Sequence, residues 1–138
     1  MKILLLNPNT SESLTTRLRD AAVQVVGPDT QIVPATALRG VPYISTRAEA
    51  QIGGAMALEM LAERAGGYDA AVIAAFGDPG LFAARELFEV PVVGMAEAAM
   101  LTACMLGRRF AIVTFASALG PWYQECVEMH GMVDRCAG

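Results

Sequence analysis

The sequence predicts an α/β fold in which a parallel sheet carries helices on both faces. Short apolar runs alternate with segments of helical periodicity along all 138 residues. The clearest run, at residues 70–75, is apolar throughout, which is typical of a parallel strand that is buried on both sides. Strands and helices that alternate in this way are joined by right-handed crossovers, so both faces of the sheet are expected to be covered.

Five strands and five helices are predicted in alternating order. The strands are expected at residues 2–6, 31–35, 69–76, 90–93 and 109–115, and the helices at residues 14–25, 46–65, 79–88, 96–106 and 121–130. Thr46 and Glu49 have the spacing of a capping box at the start of the second helix. Asp78 is the expected N-cap of the third helix. The expected buried stripe of the second helix consists of Ile52, Ala55, Leu58, Leu61, Ala62 and Ala65.

Composition and charge exclude several classes of protein. With 10 basic and 14 acidic side chains the net charge is −4, and no basic cluster favours binding to nucleic acid. The apolar run at residues 3–6 is too short for a signal peptide, and no run has the length of a membrane span, so a cytoplasmic location is expected. The odd number of cysteines, 3, favours a reducing compartment. Hydrophobic residues make up 54% of the chain, which indicates either strands buried on both faces or a large partner interface.

Three loops follow predicted strands, where ligands bind in parallel α/β sheets: residues 7–11, 75–80 and 114–120. In the second loop, free N–H groups of Phe76, Gly77 and Asp78 beside a helix start would form a cradle for an enolate or carboxylate oxygen. An ordinary loop with an Asp-Pro helix start would contain the same residues. Asn9 and Thr10 of the first loop have side chains that can donate to a ligand oxygen, or can cap and form turns.

The remaining candidates are weaker. Thr114 and Ser117 have hydroxyls that would line a pocket or cap the helix expected at residue 121. His130, the only histidine, falls late in that helix, where a surface position or an interaction with the helix dipole is expected. Cys104 and Cys126 are expected to be structural. The sequence has no P-loop, GxGxxG motif or close group of metal ligands, so neither a cofactor nor a metal is predicted.

Several segments together resemble one family. Residues 6–11 (Leu-Asn-Pro-Asn-Thr-Ser) are similar to the opening of hydantoin racemases and related aspartate/glutamate racemase-like proteins. Residues 68–80 resemble the central strand and first catalytic loop of that family, and residues 91–99 resemble a further segment. Residues 107–110 are similar to the entry to the second lobe. The resemblance runs in order along the whole chain and is therefore more specific than any single loop.

The resemblance implies the first lobe of a two-lobed, cofactor-independent racemase, at residues 1–107, and the incomplete beginning of the second lobe, at residues 108–138. In such enzymes one thiolate removes the proton alpha to a carbonyl, and a thiol of the opposite lobe returns a proton to the other face. The substrate would be a small molecule, a hydantoin or an amino-acid derivative, and a homo-oligomer is expected. The first family cysteine falls where this chain has Ala75, and the second would lie beyond residue 138.

Three functions therefore stay open from the sequence. The first is a hydantoin racemase homologue that is inactive because Ala75 has no proton to exchange. The second is an enzyme with a single thiol, similar to arylmalonate decarboxylases, although residues 76–78 lack the hydroxyls that would hold a carboxylate. The third is a non-catalytic binding or assembly fragment that keeps the fold.

Overall fold

A four-stranded parallel sheet forms the centre of the molecule. The computed structural model describes residues 1–114 and 117–138. The strands are β1 (Lys2–Asn7), β2 (Gln31–Thr36), β3 (Ala70–Ile73) and β4 (Val92–Gly94), in the order β2-β1-β3-β4. All three strand pairs are parallel. The predicted α/β class is thus confirmed.

Five α-helices connect and follow these strands within the described residues. They are α1 (Glu12–Val23), α2 (Arg47–Glu63), α3 (Leu81–Leu87), α4 (Met95–Leu106) and α5 (Gly120–Met129). Short 3-10 turns lie at Ser117–Leu119 and Val133–Arg135. Thr46 caps α2 as predicted, since its side chain accepts a hydrogen bond from the Glu49 N–H. None of the described helices has the length and apolarity needed to cross a membrane.

The main hydrophobic core fills the space between one sheet face and helices α2 and α3. Leu4 and Leu6 of β1 point to this face because strand side chains alternate. They are 1% and 0% exposed and pack in one cluster with Leu61 of α2 and Ala84 of α3. The side chains of Leu5 and Asn7 point to the opposite face. Helix α1 lies on that face, where the Asn7 side chain donates a hydrogen bond to Thr15.

The buried side of α2 differs from the predicted stripe. The buried residues are Ala50, Gly53, Gly54, Ala57, Met60 and Leu61. Ile52, predicted to be buried, is 44% exposed. The reason is close approach: a Cβ at Gly54 would lie 3.1 Å from the Gly80 nitrogen, so the backbone of the helix packs directly against the loop that follows β3. A search for a stripe of large apolar side chains correctly includes Leu61 but misses Gly53 and Gly54.

The strand predicted at residues 109–115 is wrong. Within the described residues this segment forms one isolated parallel bridge, between Phe110 and Cys136, and does not join the sheet; Phe115 lies outside the described residues. The Ile112 N–H also bonds the Gly138 carbonyl at 2.8 Å. Phe110 and Ile112 pack instead against a second core that consists of Ala96, Met100, Cys126, Val127 and Met132.

Candidate active site at the carboxyl ends of β1 and β3

Two of the three candidate loops meet at one place in the fold. The chain order reverses between β1 and β3, since β1 leads to β2 on one side and β3 leads to β4 on the other. The strands end at the same level, with Leu6 opposite Ile73 and Ile73 opposite Gly94. Residues 8–11 and 74–80 therefore flank the crevice in which open α/β sheets bind ligands.

A buried amide organises the loop after β1. Asn7 is 0% exposed. Its Nδ2 lies 2.8 Å from Asn9 Oδ1, 3.0 Å from the Ser11 carbonyl and 3.0 Å from Thr15 Oγ1. These contacts join the end of β1 to the start of α1. Sequence analysis did not single out Asn7, although a polar residue at the end of a buried strand was a signal.

Asn9 and Thr10, both predicted to bind substrate, lie in this loop but are held by the protein. Asn9 is 4% exposed, and its Oδ1 accepts from Asn7 and from the Ser11 N–H at 2.9 Å. The Thr10 N–H donates to the Val41 carbonyl at 3.0 Å. The half-buried Thr10 hydroxyl stays a predicted ligand contact, whereas the Asn9 carbonyl oxygen serves the loop.

The loop after β3 leaves the sheet earlier than predicted. Strand β3 ends at Ile73, and the Ala74 N–H makes one more bond to the Leu6 carbonyl, at 2.7 Å. The chain then turns, and the Asp78 N–H donates to the Ala75 carbonyl at 3.1 Å. Ala75 and Phe76 are half-buried, and Gly77 has a φ of 95°. Within the described residues no acceptor bonds the N–H of Phe76 or Gly77. The turn after the carboxyl end of β3 therefore carries two N–H groups with no partner among the described residues.

Asp78 is not the N-cap of α3, as had been predicted. Gly80 has that position, in the left-handed conformation and without a side-chain bond. Asp78, itself at φ 49°, accepts instead from the Ala96 N–H at 2.7 Å and from the Glu97 N–H at 2.8 Å. N–H groups in the first turn of a helix have no partner within the helix. Gly94, the N-cap of α4, has no side chain that could bond them. Asp78 thus caps a helix 18 residues further along the chain.

Gly94 makes this cap possible, and its substitution gives a first test. A Cβ there would lie 2.3 Å from Asp78 Oδ2 and 2.7 Å from Leu81 Cδ2, so Gly94→Ala must displace the carboxylate. We expect a loss of about 2 kcal/mol in the free energy of unfolding, as for other overpacked sites. Gly120→Ala is the matched control because no atom lies within 4 Å of that Cβ. Equal denaturation midpoints for the two variants would contradict the prediction.

The side chain of His130 lies beside Asp78. It is 3% exposed, so the predicted surface position is wrong. Its Nε2 lies 3.3 Å from Asp78 Oδ2 and its Nδ1 lies 3.5 Å from Glu97 Oε1. Glu97 is in turn held by Arg85 of α3, through contacts of 3.0 and 2.5 Å. These four side chains form a continuous series of contacts that joins α3, the loop after β3, the start of α4 and the end of α5.

The two carboxyl groups of this chain have opposite pKa shifts. The pKa of Asp78 is raised, chiefly by burial, although the N–H groups of Ala96 and Glu97 and the nearby His130 lower it. The hydrogen bonds from Arg85 are the largest cause of the lowered pKa of Glu97. Burial thus disfavours the charged form of Asp78, whereas Arg85 favours the charged form of Glu97.

Glu97 gives a prediction for the pH dependence of stability. Because its pKa is lower in the folded state, its ion pair stabilises the fold above the ordinary glutamate pKa, about 4.3, and the contribution is lost as pH falls through the lowered value. Glu97→Gln should therefore cost about 1 kcal/mol near pH 7, since the pair is partly exposed, and much less in acid. Glu86→Gln, on the exposed side of α3, is the control. A cost that is equal at both pH values would disprove the assignment.

Two aromatic residues of α5 cover the loop after β3. Trp122 is 7% exposed and packs onto Gly77, where a Cβ would lie 2.4 Å from its ring. Trp122 is therefore a packing residue. Phe76 meets Tyr123 edge to face, with ring centroids 4.9 Å apart. The glycine is required at position 77 both by its positive φ and by this contact.

The third candidate loop contributes less to the crevice. Thr114 is half-buried and lines a small cavity of about 80 Å³ with Tyr123 and Gln124. Ser117 is exposed at the start of a 3-10 turn. It does not cap α5, because Leu119 is the N-cap and makes no side-chain bond. Binding roles for Thr114 and Ser117 stay predictions.

The predicted absence of a metal-ligand group needs a qualification. The ligand atoms of Asp78, Cys126 and His130 lie within 4.8 Å of one another, although Asp78 is far from the other two residues in the sequence. However, both Asp78 oxygens already accept N–H groups. Burial and the nearby carboxylates raise the pKa of Cys126 to about 12, so this thiol is protonated. Both features disfavour a metal centre at these three residues.

The matching of known proteins agrees with this architecture. The family model described as Asp/Glu/hydantoin racemase matches residues 3–138. The chain belongs to the Asp/Glu/hydantoin racemase family. It is 39% identical over 139 residues to the hydantoin racemase of Paenarthrobacter aurescens, and 37% identical over 136 residues to that of a Pseudomonas species. These matches cover 99% and 98% of the chain.

Solved racemases of the family have the same fold. The allantoin racemase from Klebsiella pneumoniae superimposes with a TM-score of 0.95 at 40% identity, over 99% of this chain and 56% of that one. The allantoin racemase from Pseudomonas fluorescens gives 0.96 at 30% identity, over 100% and 59%. The chain covers 59% of the Paenarthrobacter hydantoin racemase and 55% of the Pseudomonas one. The chain thus spans little more than half the length of its relatives.

Proposed function

We propose that the chain is the substrate-binding first part of a hydantoin- or allantoin-type racemase in which the first proton-transferring position is empty. Position 75 is the proposed thiol site, and it holds alanine. The observation that carries the proposal is the pair of N–H groups at residues 76 and 77, without acceptors in the described chain, beside this position at the crevice between β1 and β3.

The chemistry requires those N–H groups. Removal of the proton at C5 of a hydantoin places negative charge on the neighbouring carbonyl oxygen. Two N–H groups in a rigid turn stabilise such an oxygen more than they stabilise the neutral carbonyl, and this difference lowers the barrier. The turn is rigid because Gly77 lies against Trp122 and Asp78 is bonded to α4.

The cysteines that are present do not replace the missing thiol. Cys126 is 0% exposed, and its raised pKa removes its value as a base. Cys104 and Cys136 are half-buried and pack against the second core. We therefore expect this chain to bind a hydantoin without exchanging its C5 proton. We further propose that residues 108–138 begin the second lobe, which is supported by the bridge that Phe110 forms with Cys136 and not with a strand of the four-stranded sheet.

One observation favours the alternative of an assembly module without catalysis. Three large apolar side chains of α4 lie in solvent: Leu101, Met105 and Leu106, at 51, 80 and 85% exposure. Such a surface is typical of a face that another protein segment covers. No corresponding observation supports the decarboxylase alternative, because the carboxylate of Asp78 is bonded within the protein and residues 76–78 offer no hydroxyl.

The experiment is performed on the chain in D2O with a 5-substituted hydantoin and with allantoin. We expect no C5 deuterium above the buffer rate, together with ligand-dependent amide shifts at residues 76 and 77 in a 15N spectrum. Exchange above the buffer rate would overturn the inactive state of position 75. Absence of shifts at 76 and 77, at ligand concentrations up to solubility, would overturn the cradle and favour the assembly module.

A further inference from the structure

We infer that His130 is a positioning residue that holds the loop after β3 in place through Asp78. The inference adds a residue of α5 to the proposed site, and its relevance to catalysis rests on the proposed function. The contacts of His130 do not depend on that proposed function. His130 is the C-cap of α5, and its backbone N–H bonds the Cys126 carbonyl at 3.1 Å, so the end of a helix fixes the base of its side chain.

The first argument is burial without a hydrogen-bond partner. Among the described residues, His130 Nε2 is the buried side-chain nitrogen that makes no hydrogen bond. A buried polar atom of this kind destabilises the fold unless charged groups compensate it. Two carboxylates do so here, Asp78 on one side of the ring and Glu97 on the other. The ring is also packed against Phe82 of α3, with centroids 5.4 Å apart.

The second argument is the position of Asp78 between His130 and the site. The Asp78 carboxylate contacts the His130 imidazole and also accepts hydrogen bonds from the N–H groups of Ala96 and Glu97. Its own N–H bonds the Ala75 carbonyl, so a shift of Asp78 moves the turn at residues 75–78. His130 thus acts on the proposed cradle through one intermediate residue and has no direct contact with it.

The third argument excludes simple surface pairing. Helix α5 also contacts α2 through an ion pair between Arg47 and Glu125, whose side chains are 56 and 46% exposed. Such exposed pairs contribute little to stability. The contact of His130 is buried on both sides, at 3 and 2% exposure, so its removal takes away the cationic or polar side chain nearest to Asp78 and leaves the carboxylate with the N–H groups of Ala96 and Glu97.

The test is amide hydrogen exchange, read residue by residue on the 15N-labelled chain. For His130→Ala we expect exchange at Asp78, Ala96 and Glu97 to rise about tenfold or more, with the amides of β1 unchanged. His130→Gln retains a donor and should restore part of the protection. Arg47→Gln, which removes the exposed pair of α5, is the matched control and should leave these amides unchanged.

The same series can overturn the inference. Unchanged exchange at the three amides in His130→Ala would do so, as would an equal rise over the whole chain, which indicates a general loss of stability. The rise in amide exchange caused by His130→Ala must be smaller in an Asp78→Asn background than in the parent chain. Equal rises in the two backgrounds would contradict the coupling between the residues. Stabilisation by Zn²⁺ that requires His130 and Cys126 would assign a metal-ligand role instead. None of these outcomes depends on hydantoin binding.

Discussion

Ala75→Cys should increase C5 deuterium exchange of a 5-substituted hydantoin by roughly 10²–10⁴-fold over the parent chain, which is the usual contribution of a placed acid–base group. The physical reason is that a thiolate beside the N–H groups of residues 76 and 77 can remove the proton while the carbonyl oxygen gains charge. We expect exchange of one enantiomer only, with retention of configuration, because inversion requires a second group on the opposite face.

The readouts are deuterium content by mass spectrometry and enantiomeric composition by chiral chromatography. Ala75→Ser is the matched control, since serine has a similar size and a hydroxyl that does not ionise near neutral pH. The prediction fails when the cysteine variant exchanges no faster than the serine variant while both bind the ligand. In that case position 75 is not the thiol site, although the binding cradle stands.

Asn7→Asp should destabilise the fold by about 3–5 kcal/mol, the cost of an uncompensated charge in the interior. The substitution changes almost no volume. It replaces the Nδ2 donor with an oxygen that faces the oxygens of Asn9, Ser11 and Thr15, all within 3.0 Å of the original nitrogen. Repulsion should therefore open the connection between β1 and α1 and displace the loop at residues 8–11.

The measurement is urea unfolding at pH 7. Gln51→Glu is the matched control, because it makes the same chemical change at an exposed position in the first part of α2, where a negative charge is favourable. It should change stability by less than about 0.5 kcal/mol. A small effect of Asn7→Asp, similar to the control, would show that the amide of Asn7 does not organise this loop.

Local sequence rules predicted the elements whose causes are local. The strands β1 and β2 appear at nearly the predicted residues because buried parallel strands need continuous apolar runs. Thr46 caps α2 because a cap acts within three residues. The strand predicted at residues 109–115 has an apolar run too, but its pairing partner is the tail at residues 136–138, whose position no local rule gives.

The candidate site could be predicted only in part, for the same reason. The loops at residues 7–11 and 75–80 were identified because strand ends at one edge of a parallel sheet bind ligands. Asp78 and Pro79 had the pattern of a local helix start, yet Asp78 bonds the start of α4. Gly53 and Gly54 have no large side chain to indicate burial, yet the backbone of α2 packs closely at these two positions. The burial of His130 had no signal in the sequence, because isolated histidines at helix ends are usually exposed.

By itself, the sequence determined the fold class, the family resemblance, the two loops of the crevice and the alanine at position 75, since hydrophobic periodicity, turn residues and residue identity are properties of short segments. Only the tertiary structure decided that Asp78 caps α4, that Trp122 closes on Gly77 and that His130 is buried between two carboxylates. Those contacts join residues 18 to 52 positions apart, and strand order and helix packing alone bring them together.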